Sequence, residues 1–399
     1  MCKKSSNCKF YTPFFCIFYM LLSNFAPLMR IEEMQFGGML TMALLTLTLA
    51  FLLPIRTALG NIFSRARWLM AGATSLLFIQ FLLQYTLHFR AMGVTQGVFV
   101  NMLFFVPCAW QMALAVLYLQ RSGKIQLHEW LSGLIGYIIM VAVLLIGGLQ
   151  DGHSVLDDTP QMRTAEHIAA CIYSLMQFYF CWLNFREFRR MHRMMDNFYD
   201  HDKSELLRWM ERSVSLLSLS ALFAPFTIFA SGLPLLCYSL FIFLSMYYCI
   251  FSFICYGVSN DPQQVKDAEE MEEQEASQED KERTMDSADR ERMEHIVAKW
   301  MSEGGHLKSG ITIQTAATEM NISRYHLSAW LKTTEQELFN PWLTHLRIEE
   351  AKRLLREHPN WSNENIAQSC GFSSRSYFQN VFRKEVGMTP TQFITANQE

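Results

Sequence analysis

The stretch SRSYFQNVFR, residues 374–383, sets two kinds of side chain at helical spacing. Phe378, Val381 and Phe382 stand at i, i+3 and i+4 and mark a stripe that should face a core. Ser374, Arg375, Ser376, Gln379, Asn380 and Arg383 fall outside that stripe. Arginine can donate two parallel hydrogen bonds to guanine O6 and N7, and glutamine or asparagine can pair with adenine N6 and N7. The chemistry on offer is therefore the reading of base edges, not bond making. No H-E-x-x-H, G-x-S-x-G or P-loop pattern occurs, and none of the ten cysteines forms a C-x-x-C pair. No catalytic residue, cofactor or metal is expected, and the cysteines read as small apolar packing groups.

Such a helix must be held by its neighbours. Ser362 can cap a preceding helix that carries Ile366 and Ala367, and Cys370-Gly371-Phe372 follows as the turn. Glycine suits the left-handed end of a helix. Ser373 or Ser374 then caps the outward-reading helix. The same grammar stands earlier. Thr312 is an N-cap, with Ile313, Ala316, Ala317 and Met320 at helix spacing, a break at Asn321-Ile322, and Ser323 as the next cap. Leu327, Trp330 and Leu331 form the inner side of the second helix, and Arg324, Tyr325, Ser328 and Ala329 are expected to face out. Ile322 matches Phe372 at an offset of 50, whereas Leu327 and Leu331 match Phe378 and Phe382 at 51. The second turn is thus one residue longer. A long helix, about Pro341 to Glu357, joins the two units through a stripe of Leu343, Leu346, Ile348, Ala351, Leu354 and Leu355. Gly387 ends the second unit, and Thr389-Pro390 starts a last short helix.

Two helix-turn-helix units on a rigid spacer could enter two major grooves on one face of a duplex. At this point residues 293–397 resemble the AraC/XylS family of transcription regulators. The pieces that carry the resemblance are LRIEEAKRLL at 346–355, IAQSCGFSSRSYFQNVFRKEVGMTP at 366–390 and, less closely, ITIQTAATEMNISRYHLSAWL at 311–331. The resemblance implies base contacts from Tyr325, Ser328 and Ala329 in the first unit and from Arg375, Ser376, Gln379 and Asn380 in the second. Leu331, Gln336 and Trp342 depart from the residues common in the family, so the first unit is expected to supply less specificity. Residues 305–399 hold 10 Lys+Arg against 9 Asp+Glu, a weak electrostatic footprint for a DNA binder. Dimerisation or clustering on a membrane would compensate.

The rest of the chain has another character. The whole is 51% hydrophobic and 18% charged, but the apolar residues concentrate before residue 258. A spanning helix needs about 20 apolar residues. Segments near 36–55, 68–89, 98–119, 130–149, 168–185, 213–231 and 235–257 qualify. An eighth, 10–29, follows Lys3, Lys4 and Lys9 as a signal peptide would, but Pro27 after Ala26 argues against cleavage. A span, or a true start at Met34, remain its two readings. Counting short loops with the N-terminus inside, 15 Lys+Arg fall inside and 3 outside, which places the C-terminal part in the cytoplasm. Gln80, Gln84 and His88 recur every four residues, with Asn101, Gln111, Gln177 and Asn184 in other spans. They could line a ligand pocket, but hydrogen bonds between helices are the plainer reading. Residues 261–294 hold 14 acidic and 5 basic residues and read as a solvated tether.

The expected fold class is all-α. A polytopic membrane domain of seven or eight spans (1–257) leads through an acidic linker (258–290) to an AraC-type helix-turn-helix domain (291–399). The expected role is a membrane-tethered regulator in the cell (inner) membrane. Its partners would be double-stranded promoter DNA and the lipid bilayer, with a homodimer and an RNA polymerase contact as further expectations. The signal ligand is not legible. The alternative is a transport or channel protein with a regulatory, protein-binding tail. The lack of charged residues inside the spans weighs against it.

Overall fold

The structure is a computed structural model of the chain. It describes residues 31–52, 60–150, 154–200, 204–227, 233–258 and 287–396. The expected segment 10–29 and nearly all of the linker lie outside these residues. Among the described residues the regular structure is helical, with one isolated antiparallel bridge between Tyr199 and Thr312. The chain divides into two compact units. One comprises Met1–Phe188 and Trp209–Pro262, and the other Arg189–Arg208 and Gln263–Glu399.

The first unit contains α1 (Ile31–Leu47, continuing as a π-helical turn to Leu52), α2 (Asn61–Leu87), α3 (Phe89–Met92), α4 (Val94–Gln120) and α5 (Leu127–Leu149). It also holds the first part of α6 (Pro160–Phe198), most of α7 (Ser204–Thr227) and α8 (Leu233–Val258). Among the described residues, six helices are long and apolar enough to cross a membrane: Gln35–Leu52, Asn61–Leu87, Val94–Gln120, Leu127–Leu149, Pro160–Phe198 and Cys237–Val258. The segment expected at 213–231 falls on α7, which is not among the six. Its first turns carry Glu205, Arg208, Glu211 and Arg212, and its described part ends at Thr227.

Packing in this unit centres on α4, where Cys108, Ala109, Met112, Leu114 and Ala115 are fully buried. α5 instead exposes Ile135, Ile138, Ile139 and Ile146. Two buried polar groups tie helices together. Gln80 and Gln84 on α2 both donate their amide N–H to Asn101 Oδ1 on α4, at 2.8 and 3.1 Å. An unpaired amide in apolar surroundings is costly, so these bonds fix the register of the pair. His88 does not continue their face as the spacing suggested. The helix stops at Leu87, and His88 takes a left-handed conformation with φ 52°. Arg121 bonds both Glu129 (2.6 Å) and Glu187 (3.0 Å), which joins the ends of α4, α5 and the middle of α6.

The second unit contains the end of α6, then α9 (Ser287–Ser302), a 3₁₀ turn (Gly305–Leu307), α10 (Ile313–Glu319), α11 (Arg324–Leu331) and α12 (Phe339–Glu357). It ends with α13 (Asn363–Ser369), α14 (Arg375–Val386) and α15 (Pro390–Ala396). It has two cores. The first gathers Met293, Val297 and Trp300 of α9 with Ile313, Ala316, Ala317, Leu327, Trp330, Leu331, Phe339, Trp342 and Leu343. The second gathers Ile348, Ala351, Leu354 and Leu355 with Ile366, Ala367, Phe372, Phe378, Phe382 and Phe393. α12 contributes its first half to one core and its second half to the other.

Candidate nucleic-acid interface

The two helix pairs are built alike, down to their caps. Thr312 Oγ1 accepts from Thr315 N, and Ser323 Oγ from His326 N, each at 3.2 Å. In the second pair Ser362 Oγ accepts from Asn365 N at 3.1 Å, and Ser374 Oγ from Tyr377 N at 3.2 Å. Each cap satisfies a backbone donor that the helix cannot satisfy itself. Each first helix ends in a left-handed residue, Asn321 (φ 55°) or Gly371 (φ 76°). The next amide then reaches back six residues inclusively: Ile322 N bonds Ala317 O at 3.0 Å, and Phe372 N bonds Ala367 O at 2.9 Å. This closure terminates the helix and launches the turn. The offset between the units is 50 through these turns and 51 from the caps Ser323 and Ser374 onward, as the sequence spacing required.

Gly371 is needed for a second reason. A Cβ there would lie 2.4 Å from the backbone carbonyl oxygen of Leu307. The turn of the second pair therefore packs directly on the segment that precedes the first pair.

The outward residues separate by unit. On α14, Arg375, Ser376, Asn380 and Arg383 are exposed and Gln379 is half-buried, while Ser374 is exposed at the cap. Phe378 and Phe382 are fully buried beneath them, at 5.6 Å between ring centroids. No ion pair holds Arg375 or Arg383 among the described residues. On α11, Arg324, Tyr325 and Ala329 are half-buried. Ser328 corrects the sequence expectation: it is 5% exposed and points inward with Leu327 and Leu331. Residue 328 lies four before Lys332 and one after Leu327, at the border of the apolar stripe. It also stands three before Leu331, so it flanks the apolar stripe on the helix surface. The first unit therefore offers fewer reading groups than its spacing suggested.

The departures at Leu331 and Trp342 are absorbed by packing. Trp342 stacks on Trp300 with centroids 6.1 Å apart and meets Trp330 edge-on at 5.7 Å. Trp300 Nε1 also donates to Glu319 Oε2 at 2.8 Å, and Lys308 Nζ donates to Glu319 Oε1 at 2.6 Å. The lysine beside Glu319 holds its carboxyl below the usual carboxylate range. Burial pushes the Cys370 thiol up to about 12, so it serves as an apolar packing group.

One buried charged residue lies outside the outward-facing set. Arg347 is 1% exposed at the middle of α12. Its position was legible, since residues 343, 347, 351 and 354 share one helix face. Its partners were not. They include Asp200, 147 residues away in sequence.

A helix-turn-helix domain family matches residues 316–396. The probable transcription factor PqrA of Proteus vulgaris is 30% identical over 97 residues, which cover 24% of this chain and 79% of PqrA. This chain belongs to the AraC family of transcription regulators. The regulatory protein PocR of Salmonella typhimurium is 34% identical over 88 residues, 22% of this chain and 29% of PocR. The transcriptional activator RhaS of Escherichia fergusonii is 31% identical over 101 residues, 25% of this chain and 35% of RhaS. The likeness to these longer relatives is thus confined to about a third of their length or less. No solved structure matches the chain. The AraC-family likeness is thus carried by a DNA-binding helix-turn-helix domain in the C-terminal quarter of the chain. In it, the two capped pairs α10–α11 and α13–α14 are the helix-turn-helix units, and α11 and α14 are their second helices.

Proposed function

We propose that this AraC-family protein is a membrane-tethered regulator that binds promoter DNA sequence-specifically through both helix-turn-helix units. The apolar region serves as anchor or sensor in the cell (inner) membrane, and the C-terminal unit lies in the cytoplasm. The observation that carries the tether is the character of the exposed surface. Ile146, Leu175 and Phe226 are 67, 72 and 80% exposed. Apolar surface of this extent is unfavourable in water and natural against lipid. The bias of Lys and Arg toward alternate loops gives the orientation.

The proposed base-reading residues are Arg375, Ser376, Gln379 and Asn380 of α14, with Arg324, Tyr325 and Ala329 of α11 in a lesser role. Ser374, at the N-cap, and Arg383 are suited to phosphates. Ser328 is left out because it is buried.

The test is binding of the full chain, reconstituted in lipid nanodiscs, to genomic duplex fragments. The expected result is footprints on discrete sites, with protection lost in Arg375→Ala. Equal affinity for random duplex would refute the sequence-specific reading. Release of the full chain from membranes by a high-salt wash would refute the tether.

A further inference from the structure

Arg347 occupies the joint between the two helix-turn-helix units. Its Nε donates to His306 O at 3.0 Å and its Nη2 to Lys308 O at 2.6 Å, both in the segment that leads into α10. On the other side its guanidinium carbon lies 5.9 Å from the centre of the Phe372 ring, in the turn of the second pair. A Cβ built on Gly371 of the same turn would lie 3.2 Å from its Nε. One side chain thus touches the approach to the first pair and the turn of the second.

The counter-charge for this arginine does not come from the helix-turn-helix units. Asp200, just past the end of α6, supplies it, with Oδ2 at 3.0 Å from Nη2. The two side chains are 1 and 3% exposed. The Asp200 backbone carbonyl accepts from Nη1 at 3.3 Å. The same Oδ2 accepts the backbone N–H of Gly310 (2.8 Å) and of Ile311 (3.2 Å). Around it, Tyr199 bridges Thr312, the N-cap of α10, and Asn340 of α12 donates to Asp196 at 3.2 Å. Phe198 packs against the first core.

A buried arginine without its carboxylate is strongly unfavourable. Asp200 therefore decides whether Arg347 can stay where it links the two pairs. We propose that the segment 196–200 is the input surface of the DNA-reading unit, and that Asp200 is a positioning residue which, through Arg347, sets both helix-turn-helix pairs at once. The class of device is an intramolecular coupling: whatever displaces the end of α6 loosens both pairs together. This rests on the DNA-reading function proposed above for its purpose, but not for its physics.

The experiment is amide hydrogen exchange on the full chain in nanodiscs, wild type against Asp200→Asn. That variant keeps the shape and an acceptor for Gly310 and Ile311 but removes the charge. The expected result is exchange about tenfold faster or more both at 305–312 and at 369–373, with the interior of α14 at Phe378–Phe382 still protected. Acceleration confined to 309–312 would reduce Asp200 to a local cap and overturn the proposal, as would no change. If α14 also loses protection, the Tyr199→Cys, Thr312→Cys pair is added and oxidised, since partners of a β-bridge lie within disulfide reach. Faster exchange at 369–373 in that tied chain supports the proposal, and wild-type exchange there overturns it. DNA binding is read separately on the same samples, where Asp200→Asn is expected to bind about tenfold more weakly. If wild type shows the exchange pattern but no site-specific DNA binding, the functional reading fails and the coupling stands.

Discussion

At the scale of single residues, the second unit is sensitive where a side chain has no room to be anything else. Gly371 combines φ 76° with a carbonyl oxygen 2.4 Å from where a Cβ would stand. Gly371→Ala should cost at least about 1–2 kcal/mol from the left-handed backbone alone. It should appear as faster amide exchange in α13 and α14. His306 offers a pH test. Burial lowers its pKa, with Arg347 acting in the same direction and Glu350 opposing. A base whose folded pKa lies below its unfolded value stabilises the fold fully above about 6.5, and that stability is lost as pH falls below it. Thermal stability of the second unit should therefore drop on acidification from pH 7 to 5.5, and His306→Gln should flatten that dependence. Glu319 works at a lower range. Its pKa is lowered by Lys308, so its contribution is present above the ordinary carboxylate pKa and is lost only as pH falls through and below it. The two groups can be told apart by where the loss begins.

At the scale of elements, the two helix-turn-helix pairs share a frame but not a face. α14 lies on a ladder of aromatic rings, Phe372, Phe378, Phe382 and Phe393, each 5.2–5.6 Å from the next. Phe378→Ala should cost about 3–5 kcal/mol and dissolve the α14 face as a unit. Arg375→Ala and Asn380→Ala remove surface groups only. Each should weaken binding to the proper site by about 1–3 kcal/mol while leaving thermal stability in place. On α11, Ser328→Ala should leave DNA affinity unchanged, because the hydroxyl is already buried. Titration of the four variants against one footprinted duplex separates these outcomes. The same element scale explains why the spacer helix is so well populated with buried residues. α12 must serve two cores, and Arg347 stands where they meet.

At the scale of the whole molecule, charge and grease are segregated along the chain. The DNA-reading part is nearly neutral, with 10 basic and 9 acidic residues between 305 and 399. Few phosphates can then be neutralised, and the slope of log affinity against log salt should be shallow. Arg383→Ala should reduce that slope by about one unit if the residue holds a phosphate. Under the membrane tether proposed above, copies gathered on one surface would raise the local concentration and offset a modest affinity per chain.

Much of this was legible from sequence because it is local. Caps at Thr312, Ser323, Ser362 and Ser374 act over three residues, the left-handed Gly371 over one, and the stripes of α11 and α14 over two turns. Apolar length in the sequence marked seven segments and an uncertain eighth, and six of the seven coincide with described helices long and apolar enough to cross a membrane. What needed the tertiary structure was whatever depends on distant partners. The inward seat of Ser328 and the break at His88 are visible only in the folded chain, and the closing of Arg347 by Asp200 joins segments far apart in sequence. The last spans 147 residues, and no local spacing rule can register a hydrogen bond across that distance.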